Sequence, residues 1–164
     1  MTMQYDVKSF HVMTGTPSAI SGRVRLKGAV VSNTSSGTPA NVFFANNSTV
    51  SGTYSIAGTT TCTVTVAAGH GLTTGDRVWL DFTSGTGTTD NAYTVTVSST
   101  TVFTVTTASL TTSGNVTVYT QGLMEIDITN SVPVNVIVPG EGILAKDGIF
   151  VGTPANIAAT VFYG

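Results

Sequence analysis

Threonine makes up about a fifth of this 164-residue chain, and it alternates with valine in several short runs, such as TCTVTV at residues 61–66 and AYTVTV at 92–97. Residues branched at Cβ favour extended backbone, and alternation every second residue is the pattern of a strand with one buried face. The only segment with helical character, residues 153–159, is too short to form a stable helix alone. The sequence therefore predicts an all-β, antiparallel fold.

The density of threonine divides the chain into three parts, because 22 of its 32 threonines lie between residues 56 and 120. Each flanking part supplies only about four strands, which is too few to close a core, whereas together they supply roughly eight. We therefore predict that residues 1–55 and 121–164 form one discontinuous β-sandwich or jelly-roll-like domain. Residues 56–120 are predicted to form an inserted Thr-rich lobe, a small barrel or sandwich.

The predicted strands follow from alternation and from the turn residues between them. In the flanking parts they are residues 4–12, 23–32, 41–45, 48–55, 123–129, 134–138, 143–145, 149–151 and 159–163. In the lobe they are the five short runs 61–66, 77–82, 92–97, 102–105 and 115–119. The Asp147-Gly148 pair predicts a hairpin turn.

Charged residues make up only 9% of the chain, whereas 41% of its residues are hydrophobic. An ordinary soluble domain has about a quarter of its residues charged, so a surface this poor in ions favours permanent association with other proteins. We expect a homo-oligomer, with a homotrimer as the leading expectation, or otherwise a protomer that is permanently bound to a larger assembly. The net charge of -2 gives no cationic surface for nucleic acid, and no apolar run is long enough to cross a membrane, so neither is an expected partner.

The sequence contains few residues that could form a catalytic site. Only His11 and His70 could serve as the base of a nucleophilic triad, and no Gly-x-Ser-x-Gly motif is present. The single cysteine, Cys62, rules out an intrachain disulfide and fits a buried strand position. We therefore expect no enzyme activity, no catalytic residues, no metal site and no cofactor.

The clearest polar surface is the run from Arg23 to Gly28, in which Arg23, Arg25 and Lys27 alternate with apolar residues or glycine. A basic face of this kind is a candidate contact with an acidic partner protein. The alternative is that its charges pair with those of neighbouring strands or face water. Glu125 and Asp127, on another alternating strand, are the natural candidates for such pairing.

The segment AGHGLTTGDRVWLDF at residues 68–82, followed by DNAYTV at 90–95 and VFTV at 102–105, resembles a small β module found in phage virion proteins. The flanks, with GRVRLKGAVVSN at 22–33 and VPGEGILAKDGIFV at 138–151, are similar to short β-sandwich structural proteins of tailed phages. Considered from chemistry alone, Gly71 and Gly75 permit tight turns, Leu72 covers the lobe core and Asp76 binds nearby amides. His70 then needs only a structural role.

The resemblance implies a protein of the virion, made in the cytoplasm of a bacterial host. The leading hypothesis is a capsid decoration, or cement, protein that binds the major capsid protein through the sandwich. The alternative is a neck, tail or fibre component that contacts a receptor or carbohydrate. In that case Trp79, Tyr93 or Tyr119 could stack on sugar rings, although their positions in strands favour burial in a core.

Overall fold

The computed structural model describes residues 7–13, 15–34, 39–129 and 132–164. This part of the chain is all-β, with antiparallel pairing and no helix, as predicted. The strands are β1 (Lys8–Val12), β2 (Ser18–Ser21), β3 (Val24–Asn33), β4 (Ala40–Asn46), β5 (Thr49–Val66), β6 (Arg77–Phe82), β7 (Asn91–Thr94), β8 (Thr96–Val97), β9 (Val102–Tyr119), β10 (Gly122–Ile128), β11 (Val134–Ile137), β12 (Ile143–Ala145), β13 (Gly148–Gly152) and β14 (Ile157–Tyr163).

The chain forms two compact units. The first, called the sandwich below, combines residues 1–47 with 123–164, and the second, called the lobe, is residues 48–122. The boundary differs from the prediction, which assigned residues 48–55 to the sandwich. They belong to the lobe because residues 49–55 lie in the first half of β5, which pairs with β9 from Thr49 to Thr65.

The sandwich consists of two sheets that share one core. The first sheet has the order β1-β14-β3-β11, with β12 also paired to β3, and the second has the order β10-β4-β13-β2. Alternate residues of both sheets point into the core, including Leu26 and Val161 from the first and Phe44 and Ile149 from the second. Strands from both ends of the chain therefore contribute to a single core.

The lobe is organised around the two long strands β5 and β9. Their ladder is interrupted between Ala57 and Thr61, where the register shifts twice. Such irregularities bend a ribbon sharply. The bend brings Gly52 against the carbonyl of Thr65 in the same strand, so closely that a Cβ on Gly52 would lie 2.4 Å from that oxygen.

The curled ribbon and the short strands β6, β7 and β8 enclose a second core. Strand β6 pairs with the last residues of β9, whereas β8 pairs with its first residues, so the sheet wraps around the interior. Phe103, Val64 and Leu80 are fully buried there. The lobe is thus a small barrel-like sheet.

The strand prediction needs correction at several points, including residues 92–97, which form the two short strands β7 and β8 rather than one. Segments 48–55 and 61–66 are one continuous strand, β5, and segments 102–105 and 115–119 are likewise one strand, β9. Because the intervening Thr, Ser, Ala and Gly residues are mostly exposed, they lack the apolar alternation that marks a strand in sequence. Strand β2 was missed because its four residues, SAIS, carry only one large apolar side chain. The predicted first strand began at residue 4, but residues 4–6 lie outside the described part.

Candidate functional sites

The basic residues Arg23, Arg25 and Lys27 lie at the start of β3, but they do not form one free face. Arg23 precedes the strand and is exposed. Lys27 lies at a register shift, because Leu26 faces Tyr163 of β14 while Gly28 faces Phe162. The extra residue of such a bulge departs from simple alternation.

Two of these basic side chains bind the turn between β11 and β12. The Arg25 guanidinium forms an ion pair with Glu141 at 3.1 Å and donates to the Gly142 carbonyl at 3.3 Å. The Lys27 ammonium donates to the Glu141 carbonyl at 2.7 Å. Arg25 and Lys27 therefore hold a turn of their own unit, and Arg23 is the basic residue most open to a partner.

The acidic residues Glu125 and Asp127 lie on β10, with Ile126 and Ile128 buried between and after them as the alternation predicts. Strand β10 belongs to the second sheet of the sandwich and β3 to the first, so the basic and acidic strands are not ladder neighbours. Instead, Glu125 accepts a hydrogen bond from the Asn41 side-chain amide at 2.6 Å. The predicted alternative, pairing of these charges across a ladder, does not occur between these strands.

His70 joins two loops at one end of the lobe and is only 6% exposed. Its Nδ1 accepts from the Leu72 backbone N–H at 3.0 Å, so the proton lies on Nε2, which donates to the Ser99 carbonyl at 2.9 Å. The ring also packs edge-on against Phe103. Both ring nitrogens are therefore used structurally.

The glycines and the aspartate of the same loop have the geometry that the sequence predicts. Gly71 and Gly75 have φ of 65° and 101°, in the region that favours glycine. The Asp76 carboxylate accepts from the Thr73 N–H at 2.8 Å, and Leu72 packs into the lobe core. A depression of about 600 Å³ opens beside this loop and is lined by His70, Leu72 and Val97 together with glycine, serine and threonine residues.

The aromatic residues considered for carbohydrate contact are not arranged as a stacking platform. Trp79 is fully buried. Tyr93 is partly buried, packs edge-on against Phe82, and donates its hydroxyl proton to the Thr89 carbonyl at 2.7 Å. Burial raises the pKa of Tyr93 to about 12, with a further contribution from nearby acidic groups. Burial, followed by the charge of Asp81, also raises the pKa of the partly buried Tyr119.

Cys62 is fully buried, and its burial raises the pKa of the thiol to about 11. Burial also raises the pKa of Asp81, with a smaller contribution from the nearby charge of Asp90. Asp90 itself accepts from the Phe82 N–H at 2.8 Å. Within the described residues, no group of three or more His, Cys, Asp or Glu side chains is placed to hold a metal ion. No helix there is long and apolar enough to cross a bilayer.

Exposed apolar side chains are the surface feature that the sequence interpretation missed. Among the described residues, the exposed large ones are Val7, Met13, Val132 and Ile137, at 52%, 68%, 63% and 77% exposure. All four lie in the sandwich, in or beside the edge strands β1 and β11 of its first sheet. The sequence contains a sign of the exposure of Ile137. Val134 and Val136 alternate on the core-facing side of the strand, so Ile137 falls on the opposite side, where a polar residue is usual.

A shallow groove of about 350 Å³ crosses the outer face of this sheet. Its lining includes Gly28 together with Phe162 and Ile137, the residues aligned with it on the two neighbouring strands. Val7 and Lys27 also line the groove. The groove therefore combines apolar side chains with the amide of Asn135 and the Lys27 cation.

Comparison with known proteins gives no assignment: no family model matches the chain, and no curated protein is similar enough to count as a relative.

Proposed function

We propose that this chain is a structural protein of a phage virion, most specifically a capsid decoration protein that binds and stabilises the lattice of the major capsid protein. The sequence resemblance of both units to phage structural proteins motivates the proposal. The all-β fold, with two small cores and a surface poor in charge, is suited to a protein whose role is to associate with other proteins.

The observation that carries the assembly role is the unequal distribution of contact-forming side chains. All four large apolar side chains that are exposed in the described residues belong to the sandwich. Five of the six Lys and Arg residues also belong to it, and Arg77 alone lies in the lobe. Specific interfaces combine apolar contact with complementary charge, so the sandwich is the unit proposed to dock on the particle.

The lobe presents a different surface. The outward-facing residues of β5 and β9 are chiefly threonine and serine, as in the aligned pairs Ser51–Thr117 and Ser55–Ser113. Its Gly-rich tip at residues 84–87 is exposed. Such uniform polar surfaces suit a solvent-facing position, so the lobe is proposed to project from the particle.

The proposal is tested by locating and counting the protein on purified phage particles. Heads and tails are separated, and the chain is quantified in each fraction by mass spectrometry against labelled peptides. A decoration protein is expected in many copies on heads, whereas a neck, tail or fibre component would be confined to a few copies in the tail fraction. Absence from both fractions would reject a virion role.

A further inference from the structure

We propose that copies of this chain associate head-to-tail by adding the edge strand β1 of one copy to the edge strand β11 of the next, which continues the first sheet of the sandwich. The proposal deepens the self-association expected under the proposed function. It is nevertheless independent of particle binding, because the contact concerns two copies of the chain alone.

The two edges are compatible in direction. Strand β1 is antiparallel to β14, β14 to β3, and β3 to β11, so successive strands of the sheet alternate in direction. A further β1 placed beside β11 would again be antiparallel. Within the described residues, β1 pairs only with β14, and β11 only with β3, so each presents one edge for added strand pairing.

The two edges are also compatible in register. Four straight rows of aligned residues cross the sheet, of which one is Ser9–Phe162–Gly28–Ile137 and another is Val12–Ala159–Val31–Val134. Continuing the rows would place Ser9 of the second copy beside Ile137 and Val12 of the second copy beside Val134. Core-facing residues would then meet core-facing residues, and outer residues would meet outer residues.

This alignment places the exposed apolar side chains at the new contact. Continued one residue beyond the strands, the rows put Met13 of one copy beside Pro133 of the other, the residue after Val132. At the opposite end, Val7 of one copy lies diagonally from Ile137 of the other, on the same face of the sheet. Apolar surface at both ends of the contact is thereby removed from water.

Charge at the ends of the two strands agrees with the same alignment. Lys8 is exposed at the start of β1, and Glu141 is 83% exposed in the turn that follows β11. Antiparallel addition places Lys8 of one copy at the Glu141 end of the other. The Glu141 carboxylate already binds Arg25 through one oxygen and has the exposure to accept a second cation.

A head-to-tail contact uses different surfaces on the two copies and closes into a ring when the rotation between copies allows it. Closure after three copies would give the homotrimer expected from the composition. The second sheet lacks this character, because no exposed large apolar side chain lies in its edge strands β2 and β10.

Cysteine cross-linking tests the register directly. Ser9→Cys and Ile137→Cys are made as separate full-length variants, one carrying a size tag, and are mixed under mild oxidation. Within one copy the two positions are three strand spacings apart, about 14 Å, which is beyond disulfide reach, so a bond between them must join two copies. Cys62 does not compete, because it is fully buried and its raised thiol pKa keeps it protonated at neutral pH.

The expected result is a disulfide-linked heterodimer as the main product of the mixture. The matched control pairs Ser9→Cys with Asn135→Cys, which lies on the same face and strand as Ile137 but two residues away. Its diagonal separation of roughly 7–8 Å should give little product. Stronger cross-linking of the Asn135 pair would overturn the proposed contact. So would a main product that joins two copies of the Ser9→Cys variant, or the absence of any cross-linked product.

A second measurement does not depend on added cysteines. Ile137→Lys should shift the chain toward monomer in sedimentation velocity at a concentration where the unmodified protein is oligomeric. Ala19→Lys, on the exposed face of β2, should leave the oligomer unchanged. Equal behaviour of the two variants, or an unmodified chain that is monomeric at high concentration, would contradict the proposal. A chain that cross-links as expected but is absent from particles would instead reject the virion role alone.

Discussion

Asn46 and Asp147 bind each other through two hydrogen bonds. The Asn46 side-chain amide donates to the Asp147 carboxylate at 2.6 Å, and the Asp147 backbone N–H donates to the Asn46 side-chain oxygen at 2.9 Å. Asn46 is 3% exposed and ends β4, two residues before the lobe begins. The pair therefore fixes the exit from the sandwich against the turn that precedes β13.

We expect Asn46→Ala to lower the free energy of unfolding of the sandwich by about 1–3 kcal/mol, because it removes both hydrogen bonds at a buried position. Chemical denaturation followed by far-ultraviolet circular dichroism measures the change. Asn47→Ala is the matched control, because Asn47 binds the Gly148 carbonyl through its backbone N–H, which alanine retains. Equal losses from the two substitutions would show that the Asn46 side chain has no special role.

The close approach of Gly52 to Thr65 gives a prediction for the lobe. In Gly52→Ala, the new Cβ would lie 2.4 Å from the Thr65 carbonyl oxygen, so the curled ribbon must open. Overpacking of this kind typically costs about 1–3 kcal/mol. Unfolding of the lobe can be followed by the fluorescence of Trp79, the only tryptophan, which lies in β6.

Gly69→Ala is the control for this substitution. A Cβ at Gly69 would have its nearest neighbour, the Thr100 carbonyl oxygen, at an ordinary 3.7 Å, and its φ is not in the left-handed region. Its unfolding midpoint should therefore stay close to that of the unmodified chain. If Gly52→Ala were equally harmless, the ribbon would have to curl less tightly than the structure indicates.

These residues also show what the sequence could and could not predict. Alternation found the core-facing residues of β10, and the turn residues found the loop around Gly71 and Gly75. The approach of Gly52 to Thr65 could not be predicted, because it depends on register shifts near Ala57. Those shifts arise in a run of small exposed residues that has no alternation to define its pairing.

The candidate surfaces were only partly predictable for a related reason. The sequence identifies Arg25 and Lys27 as charged, but their partner turn at Glu141 lies more than a hundred residues away. Their contact depends on β11 and β12 both pairing with β3. The exposed apolar residues in or beside β1 and β11 can be interpreted as a contact surface only when the strand order shows that these strands are edges of the sheet.

The raised pKa of Cys62 predicts that the lobe loses stability in alkali. The folded thiol keeps its proton up to a pKa of about 11, whereas the unfolded thiol has its ordinary value of 9.0. Unfolding therefore releases a proton between these values, and stability falls as pH rises through that window. Tyr93, with its pKa raised to about 12 from 10.0, extends the decline to higher pH.

Urea unfolding of the lobe, followed by Trp79 fluorescence from pH 8 to pH 10.5, measures this decline. In Cys62→Ala the midpoint should fall less steeply above pH 9, because the proton linked to the thiol has been removed. The slopes are compared rather than the absolute midpoints, since loss of a buried side chain destabilises the lobe at every pH. Identical slopes would exclude the thiol as a cause of alkaline instability.

The division into two units predicts that the sandwich folds without the lobe. Its core draws only on residues of the two flanking segments, and β4 and β10, which lead into and out of the lobe, are neighbours in one sheet. Replacing residues 48–122 by a short Gly linker should therefore leave dispersed amide signals in an NMR spectrum. A disordered spectrum would contradict an independent sandwich.

A deletion at the boundaries first predicted from sequence provides the comparison. Removing residues 57–120 leaves the first half of β5 without its partner β9 and exposes Tyr54 and Ile56, which are buried in the lobe core. We expect this second variant to aggregate more readily than the first. Similar solubility of the two variants would argue against residues 48–55 belonging to the lobe.

Arg23 provides the clearest single-residue test of particle docking. It is exposed and precedes β3, whereas reversal of Arg25 or Lys27 would disturb the turn at Glu141. If the sandwich docks on an acidic capsid surface, Arg23→Glu should weaken binding to purified heads several-fold, chiefly at low salt, where exposed charges are least screened. Thr86→Glu, in an exposed loop of the lobe, adds a negative charge to the other unit and should bind as the unmodified chain does. Co-sedimentation with heads across a salt series measures both variants, after thermal melting has verified their folding. Normal binding of Arg23→Glu together with loss of binding in Thr86→Glu would mean that the lobe, not the sandwich, faces the capsid.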